Sequence, residues 1–239
     1  MIPSPPGRGV IEQGDFLAEG SGLLAHGSEH VVESRRSVPI ADPPTTKGRR
    51  TRQKLLSSAR GVFSRSGFVA ARMSDIAEDA DQSLGALYRY FSDKEHIFET
   101  LISGLHEEML LSSRAGGIHL REDPWGALFA ANTGFLSHYE RNADLMRALV
   151  EASAVDDRFR NIWWAMRNRF VERFVETIES EGVQLSIDPS AVGPTVEALA
   201  FMVEQWAYIW LAHGSGQNIE KGATVVTDIW YRALFCEEK

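Results

Sequence analysis

Residues 63–98 read FSRSGFVAARMSDIAEDADQSLGALYRYFSDKEHIF, and their spacing decides how the rest of the chain is read. Just upstream, Leu55, Ala59, Val62 and Phe63 recur at i, i+4, i+7 and i+8, which predicts an amphipathic helix over 51–66 ended by Gly67. Met73, Ile76, Ala77 and Ala80 form a second, shorter stripe, with Ala77 small where two helices must approach closely. Ser83 fits as the N-cap of a third helix whose apolar positions are Leu84, Leu87, Tyr88 and Phe91. A fresh helix start follows at Ser92-Asp93-Lys94-Glu95.

Two short helices about a turn apart form the layout of a helix-turn-helix, which places its second helix in a DNA major groove. On this spacing Gly85, Ala86, Arg89 and Tyr90 face outward. A purely structural helix does not normally offer a glycine, a small residue, an arginine and a tyrosine to solvent in one turn. A helix whose N-terminal end presses on base edges does, because small residues let the backbone come close.

The same residues resemble the tetracycline-repressor (TetR/AcrR) family of transcriptional regulators over about 51–101. The strongest matches are Asp75-Ile76-Ala77, Leu87-Tyr88-Arg89-Tyr90-Phe91 and Lys94-Glu95. The chain departs from the family pattern in the turn, where Asp81-Gln82 stands for the usual Gly-Val, and at Ala71-Arg72, where a threonine cap is common. Asp tolerates left-handed backbone better than most residues, so the turn is expected to survive. Gln82 in place of an apolar residue is expected to loosen the packing of the second helix on the third.

The resemblance implies an all-α fold, with a three-helix DNA-binding domain followed by a six-helix ligand-binding and dimerisation domain. It implies DNA contacts from Ser83, Leu84, Gly85, Ala86, Tyr88, Arg89 and Tyr90, with Ser74 at the start of the second helix. Lys94, at a helix start, is expected to meet a phosphate. The implied partners are a double-stranded palindromic operator, a second copy of the chain joined through helices 8 and 9, and an apolar small-molecule effector. No cofactor is implied.

The net charge of −8 looks wrong for a DNA-binding protein until it is divided along the chain. Residues 47–98 hold ten Lys and Arg against six acids, a balance of +4, while 1–46 carry −3 and 99–239 carry −9. This asymmetry draws phosphate to one domain and away from the other. Residues 1–46 contain six prolines, many Gly and Ser and no sustained periodicity, so they read as a disordered tail. Lys47, Arg49 and Arg50 at its end read as a basic arm along the DNA backbone or minor groove. The expected domains are therefore 1–46, 47–98 and 99–239.

From 99 onward the pattern is helical to the end. Helix 4 carries Ile97, Phe98, Leu101, Ile102, Leu105 and Met109 to about residue 113. Pro124 to Asn142 brackets helix 5, Leu145 to Val150 marks helix 6, and helix 7 opens at Asp156-Asp157 and stops at Gly182. Asp188-Pro189 starts helix 8, expected to run to residue 214, and helix 9 spans 224–235. Helices 8 and 9 carry apolar residues on two faces, with Val196, Leu199, Val203 and Trp206 on one and Ile229, Trp230, Ala233 and Leu234 downstream. The domain is rich in aromatic rings and thioethers. If it holds a cavity, Phe135, Tyr139, Met146, Trp163, Met166, Phe170, Met202 and Trp206 are able to line it, with Asn132, His138, Gln205 or Arg147 as polar handles.

Catalysis has little support. The seven histidines are scattered, His26 and His30 in the proline- and glycine-rich first 46 residues being the one pair at His-x-x-x-His spacing, and the glycine pairs follow no strand. Cys236 is the only cysteine, no run reaches the roughly 18 apolar residues of a membrane span, and the N-terminus lacks a signal-peptide pattern. A reducing cytoplasm is the expected compartment. The rival reading is an all-α small-molecule-binding or interaction module with little DNA binding.

Overall fold

The computed structural model describes residues 43–113, 116–212 and 218–236, so the reading of 1–42 as a tail lies outside the described residues. All regular structure among the described residues is helical: α1 (Thr46–Ala70), α2 (Met73–Asp79), α3 (Leu84–Leu87), α4 (Lys94–Ser112), α5 (Pro124–Arg141), α6 (Ala143–Val155), α7 (Asp157–Glu181), α8 (Val192–Ala207) and α9 (Ile219–Phe235). A single 3-10 turn at Pro189–Ala191 leads into α8, and a π-helical turn at Tyr208–Ala212 follows it.

Local chemistry sets most of these boundaries. The carboxylates of Asp93, Asp123 and Asp156 and the Asn218 side chain each accept a backbone N–H in the first turn of α4, α5, α7 and α9. Each such cap is worth about 1 kcal/mol. Gly182 ends α7 in the left-handed conformation, at φ 61°. Asp81 holds the α2–α3 turn at φ 49°, as its tolerance of that region predicts.

Three boundaries differ from the sequence expectation. Thr45 caps α1 through its hydroxyl, accepting from the Gly48 N–H at 3.1 Å, so Lys47, Arg49 and Arg50 lie in the first turns of a helix rather than on an arm. The α9 helix starts five residues early because Asn218, not Thr224, caps it. Regular α-helix in α8 ends at Ala207, and the expected stop at residue 214 lies outside the described residues.

Helices α1 to α3 close around Leu55, Ala59, Phe63, Ile76, Leu87 and Phe91, all fully buried. Burial of each large side chain contributes roughly 1.5–3 kcal/mol. The α1 helix then packs on α4 and α6, while α4, α5, α7, α8 and α9 pack against one another around the larger core.

Candidate DNA-binding face and core cavity

Residue exposure on α3 defines one surface. Ser83 caps the helix by accepting the Ala86 N–H at 3.1 Å, which turns the first residues of α3 outward. Leu84 and Tyr88 are 43% and 49% exposed, unusual for large apolar side chains, and Gly85 and Arg89 stand exposed beside them. No neighbour would meet a Cβ on Gly85, so this point is open to close approach. Ala86 is buried, and Tyr90 is half-buried against the core. The expected outward set is therefore corrected by two residues each way: Leu84 and Tyr88 point out, Ala86 and Tyr90 point in. The helix has only four residues and gives way to a turn, so a wheel extended over 84–91 misassigns its faces.

Arg49, Arg50 and Ser74 are all exposed, and the Arg49 guanidinium folds back on Pro44 O at 3.0 Å. Gln82, half-buried in the turn, donates its side-chain amide to Asp81 O at 2.6 Å.

Lys94 does something different from what its place at a helix start suggests. Its ammonium donates to three backbone carbonyls, Phe68 O at 2.9 Å, Val69 O at 3.0 Å and Ala71 O at 3.2 Å, and lies 4.7 Å from the centre of the Phe68 ring. An ammonium has three protons, and all three are committed here. The lysine places its charge at the negative end of α1.

The opposite polarity at the same junction is met by Glu151 of α6. The N–H groups of Phe68 and Val69 donate to its two carboxylate oxygens at 2.9 and 3.1 Å. The chain reaches this geometry by bending at Gly67, at φ 73° and ψ −179°, a region essentially reserved for glycine. Phe68 also anchors an aromatic cluster with Phe63, Phe98 and Phe159, at centroid separations of 4.8 to 6.1 Å. Arg60 of α1 donates to the Asn142 side chain at the α5–α6 corner, which adds a polar tie.

A cavity of about 70 Å³ lies between α4, α5, α6, α7, α8 and α9. Phe135, Tyr139, Met146, Trp163, Met166 and Phe170 line it, as their types suggested. Met202 and Trp206 do not: Met202 is half-buried against other core residues, and Trp206 stacks on Trp210 at 4.3 Å, close to Gly222. The α8 positions that reach the cavity are instead Ala200, Val203 and Glu204. Sequence patterning missed Glu204, Arg167, His106 and Trp230. The Glu204 carboxylate accepts from the Trp163 indole and from Arg167, whose Nε lies at 2.9 Å, forming a bridge only about one-sixth exposed. Among the expected handles, Asn132 lines the cavity and donates to Thr227 Oγ1 at 3.0 Å. His138 instead contacts Asn142, Arg147 pairs with Asp144, and Gln205 is exposed.

A second cavity of about 250 Å³ adjoins the first, sharing Ser113, Ala131 and Phe170 with it. Burial lowers the pKa of His106, and the nearby Arg169 lowers it further, so the imidazole is neutral at pH 7. Burial raises the Tyr139 phenol far above its usual range.

Three helices touch both the cavity and the α1–α2 junction. On α4, Phe98 meets the aromatic cluster and His106 the cavity; on α6, Glu151 caps the junction and Met146 lines the cavity; on α7, Phe159 and Met166 divide the same two tasks. The paired residues sit five to eight positions apart, only about 8–12 Å along a helix.

A three-helix head with an open surface at α3, joined to a larger helical body, has the layout of a helix-turn-helix protein. Residues 55–101 match the family model described as bacterial regulatory proteins, tetR family. The chain is 38% identical over 60 residues to the HTH-type transcriptional repressor KstR of Mycolicibacterium smegmatis, a match covering 25% of this chain and 28% of that one. It is 35% identical over 82 residues to the HTH-type transcriptional regulator UidR of Escherichia coli, covering 34% and 42%. These matches thus span less than half the length of either relative. A TetR-like transcriptional regulator from Rhodococcus superposes with a TM-score of 0.59 at 24% identity over 76% of this chain and 94% of that one. A tetR-family regulator from Streptomyces coelicolor superposes with a TM-score of 0.62 at 19% identity, covering 77% and 80%. Residues 55–101 thus match the tetR-family segment, and the described helices share the fold of TetR-family regulators of known structure. Among the described residues, no helix is long and apolar enough to cross a membrane.

Proposed function

We propose that this protein is a repressor that binds a palindromic operator as a homodimer and is released when an apolar small molecule enters its core cavity. The observation that carries the reading is the outward display of Leu84 and Gly85 at the capped start of α3 and of Tyr88 and Arg89 just past its end. In this reading Arg89 reads a base edge and Tyr88 and Leu84 pack on neighbouring bases or sugars. Ser74, Arg49 and Arg50 lie on the phosphate backbone.

The second copy docks on the outer face of α8 and α9. Phe201 on α8 is 50% exposed, and Val225 and Ile229, one turn apart on α9, are 48% and 41% exposed; exposed apolar surface of this kind favours a self-complementary two-fold contact. Trp230 and Leu234, read from sequence as interface residues, are buried in the protomer's own core. Two-fold pairing would set the recognition helices roughly 34 Å apart, about one DNA turn.

Effector response follows from the size of the cavity. A drug-sized molecule needs roughly 300 Å³ or more, so it outgrows the 70 Å³ space and must displace lining helices or extend into the adjoining cavity of about 250 Å³. Three of the lining helices, α4, α6 and α7, also hold the α1–α2 junction. A ligand preferring the expanded arrangement would weaken operator binding by its differential affinity, typically 1–3 kcal/mol, or about 5- to 150-fold. The test is a gel shift with DNA flanking the protein's own gene. Retardation should fall steeply with salt, and Arg89→Ala should cost about 1–3 kcal/mol with relaxed sequence preference. Undiminished sequence-specific binding by Arg89→Ala and Tyr88→Ala would remove α3 from the recognition role.

A further inference from the structure

We propose that the core cavity takes an uncharged ring-sized apolar molecule bearing a carbonyl oxygen, which accepts the indole N–H of Trp230, with the His106 imidazole as its second polar partner. This rests on the reading of the cavity as an effector site and adds the chemistry of the ligand.

Two orphaned atoms carry the argument. Trp230 and His106 both line the cavity, are 2% and 7% exposed, and each has a ring nitrogen without a hydrogen-bond partner, Nε1 and Nδ1 respectively. Buried polar atoms are nearly always satisfied, and two orphans on one cavity mark a place where something else supplies the partner. An indole nitrogen can only donate, so the partner of Trp230 must be an acceptor. The cavity has room for about two waters at ~30 Å³ each, and a ligand oxygen can supply the same hydrogen bond in that space.

Charge is excluded by what surrounds these atoms. The lining contains one anion and one cation, Glu204 and Arg167, already paired at 2.8 Å. Burial holds His106 neutral and keeps the Tyr139 phenol protonated. A charged ligand would find no free counter-charge here, and an unpaired buried charge is costly. The remaining surface is aromatic ring, thioether and aliphatic carbon from residues such as Met109, Phe135, Trp163 and Met166, which suits a ring and little else.

The experiment compares acetophenone with isopropylbenzene, which have similar shapes but differ in one carbonyl. Each is titrated into the full chain labelled with ¹⁵N at its six tryptophans. The Trp230 indole signal is the one missing from Trp230→Phe. Acetophenone should bind roughly 2- to 10-fold tighter than isopropylbenzene, the contribution of one net hydrogen bond. It alone should move the Trp230 indole proton downfield, and its advantage should vanish in Trp230→Phe. If that variant does not fold, sequential assignment of the wild-type signal gives the same readout. Equal affinities with no downfield shift would overturn the carbonyl assignment and leave the effector site standing. Failure of both compounds to bind up to their solubility would overturn the carbonyl assignment and the effector-site reading together.

Discussion

The Glu151 carboxylate occupies the space a side chain on Gly67 would need, and from there it caps the Phe68 and Val69 N–H groups. One residue of the body thereby fixes the bend of α1 that precedes α2 and α3. Gly67→Ala should therefore suffer twice, from a backbone region closed to L-residues and from collision with the carboxylate. The expected cost is at least about 1–3 kcal/mol, a fall in Tm of roughly 2–4 °C per kcal/mol for a chain of this size. Thermal unfolding followed by circular dichroism measures it, and an unchanged Tm would mean that the bend is not strained as described.

Lys94→Met should lower stability while leaving the electrostatics of DNA binding alone. Its ammonium serves three carbonyls at the end of α1, and charged hydrogen bonds of this kind contribute about 1.5–3 kcal/mol. The slope of log affinity against log salt should match wild type, because no phosphate contact is lost. A slope reduced by about one unit would return Lys94 to the phosphate backbone.

Substitutions on α9 should separate assembly from folding. Ile229→Glu, paired with Phe201→Glu on α8, should give folded monomers by light scattering, with operator affinity falling sharply as one half-site is lost. Trp230→Asp should instead fail to fold, because it buries a charge at a position 2% exposed. A folded dimer in the double variant would move the interface elsewhere.

Stability should fall as the solution is acidified below about pH 6.5. Burial lowers the pKa of both His106 and His138 in the folded chain. Unfolding raises both to the ordinary value, so the unfolded state binds more protons as pH falls and unfolding is favoured. The stabilising contribution is complete above the ordinary histidine value and is lost as pH drops through the lowered ones. Denaturant midpoints measured from pH 7.5 to 5 should show this decline, and His106→Phe should flatten it. A midpoint unaffected by pH in that window would contradict the buried neutral state.

Helix positions were legible in the sequence wherever a local cap fixes them. Asp93, Asp123, Asp156 and Gly182 each act within one turn of their own chain, and the periodicity between them is long. What was not legible depends on distant neighbours. The acceptors of Lys94 lie 23 to 26 residues upstream, and Glu151 reaches back more than 80. Helix α9 is apolar on two sides, so nothing local says that Trp230 faces inward and Ile229 outward. Likewise Met202 and Trp206 are the right kinds of residue for a cavity wall, but the wall is made by their small and charged neighbours on the same helix.

The most direct test is to let the full-length protein select from a pool of randomised duplex DNA at physiological salt and to sequence what it holds. The account predicts an enriched sequence with two-fold symmetry, half-sites centred about one helical turn apart, and no such enrichment when Arg89 is replaced by alanine. Failure of the wild-type protein to enrich any sequence, or enrichment of an asymmetric single site, would contradict a dimeric repressor reading DNA through α3.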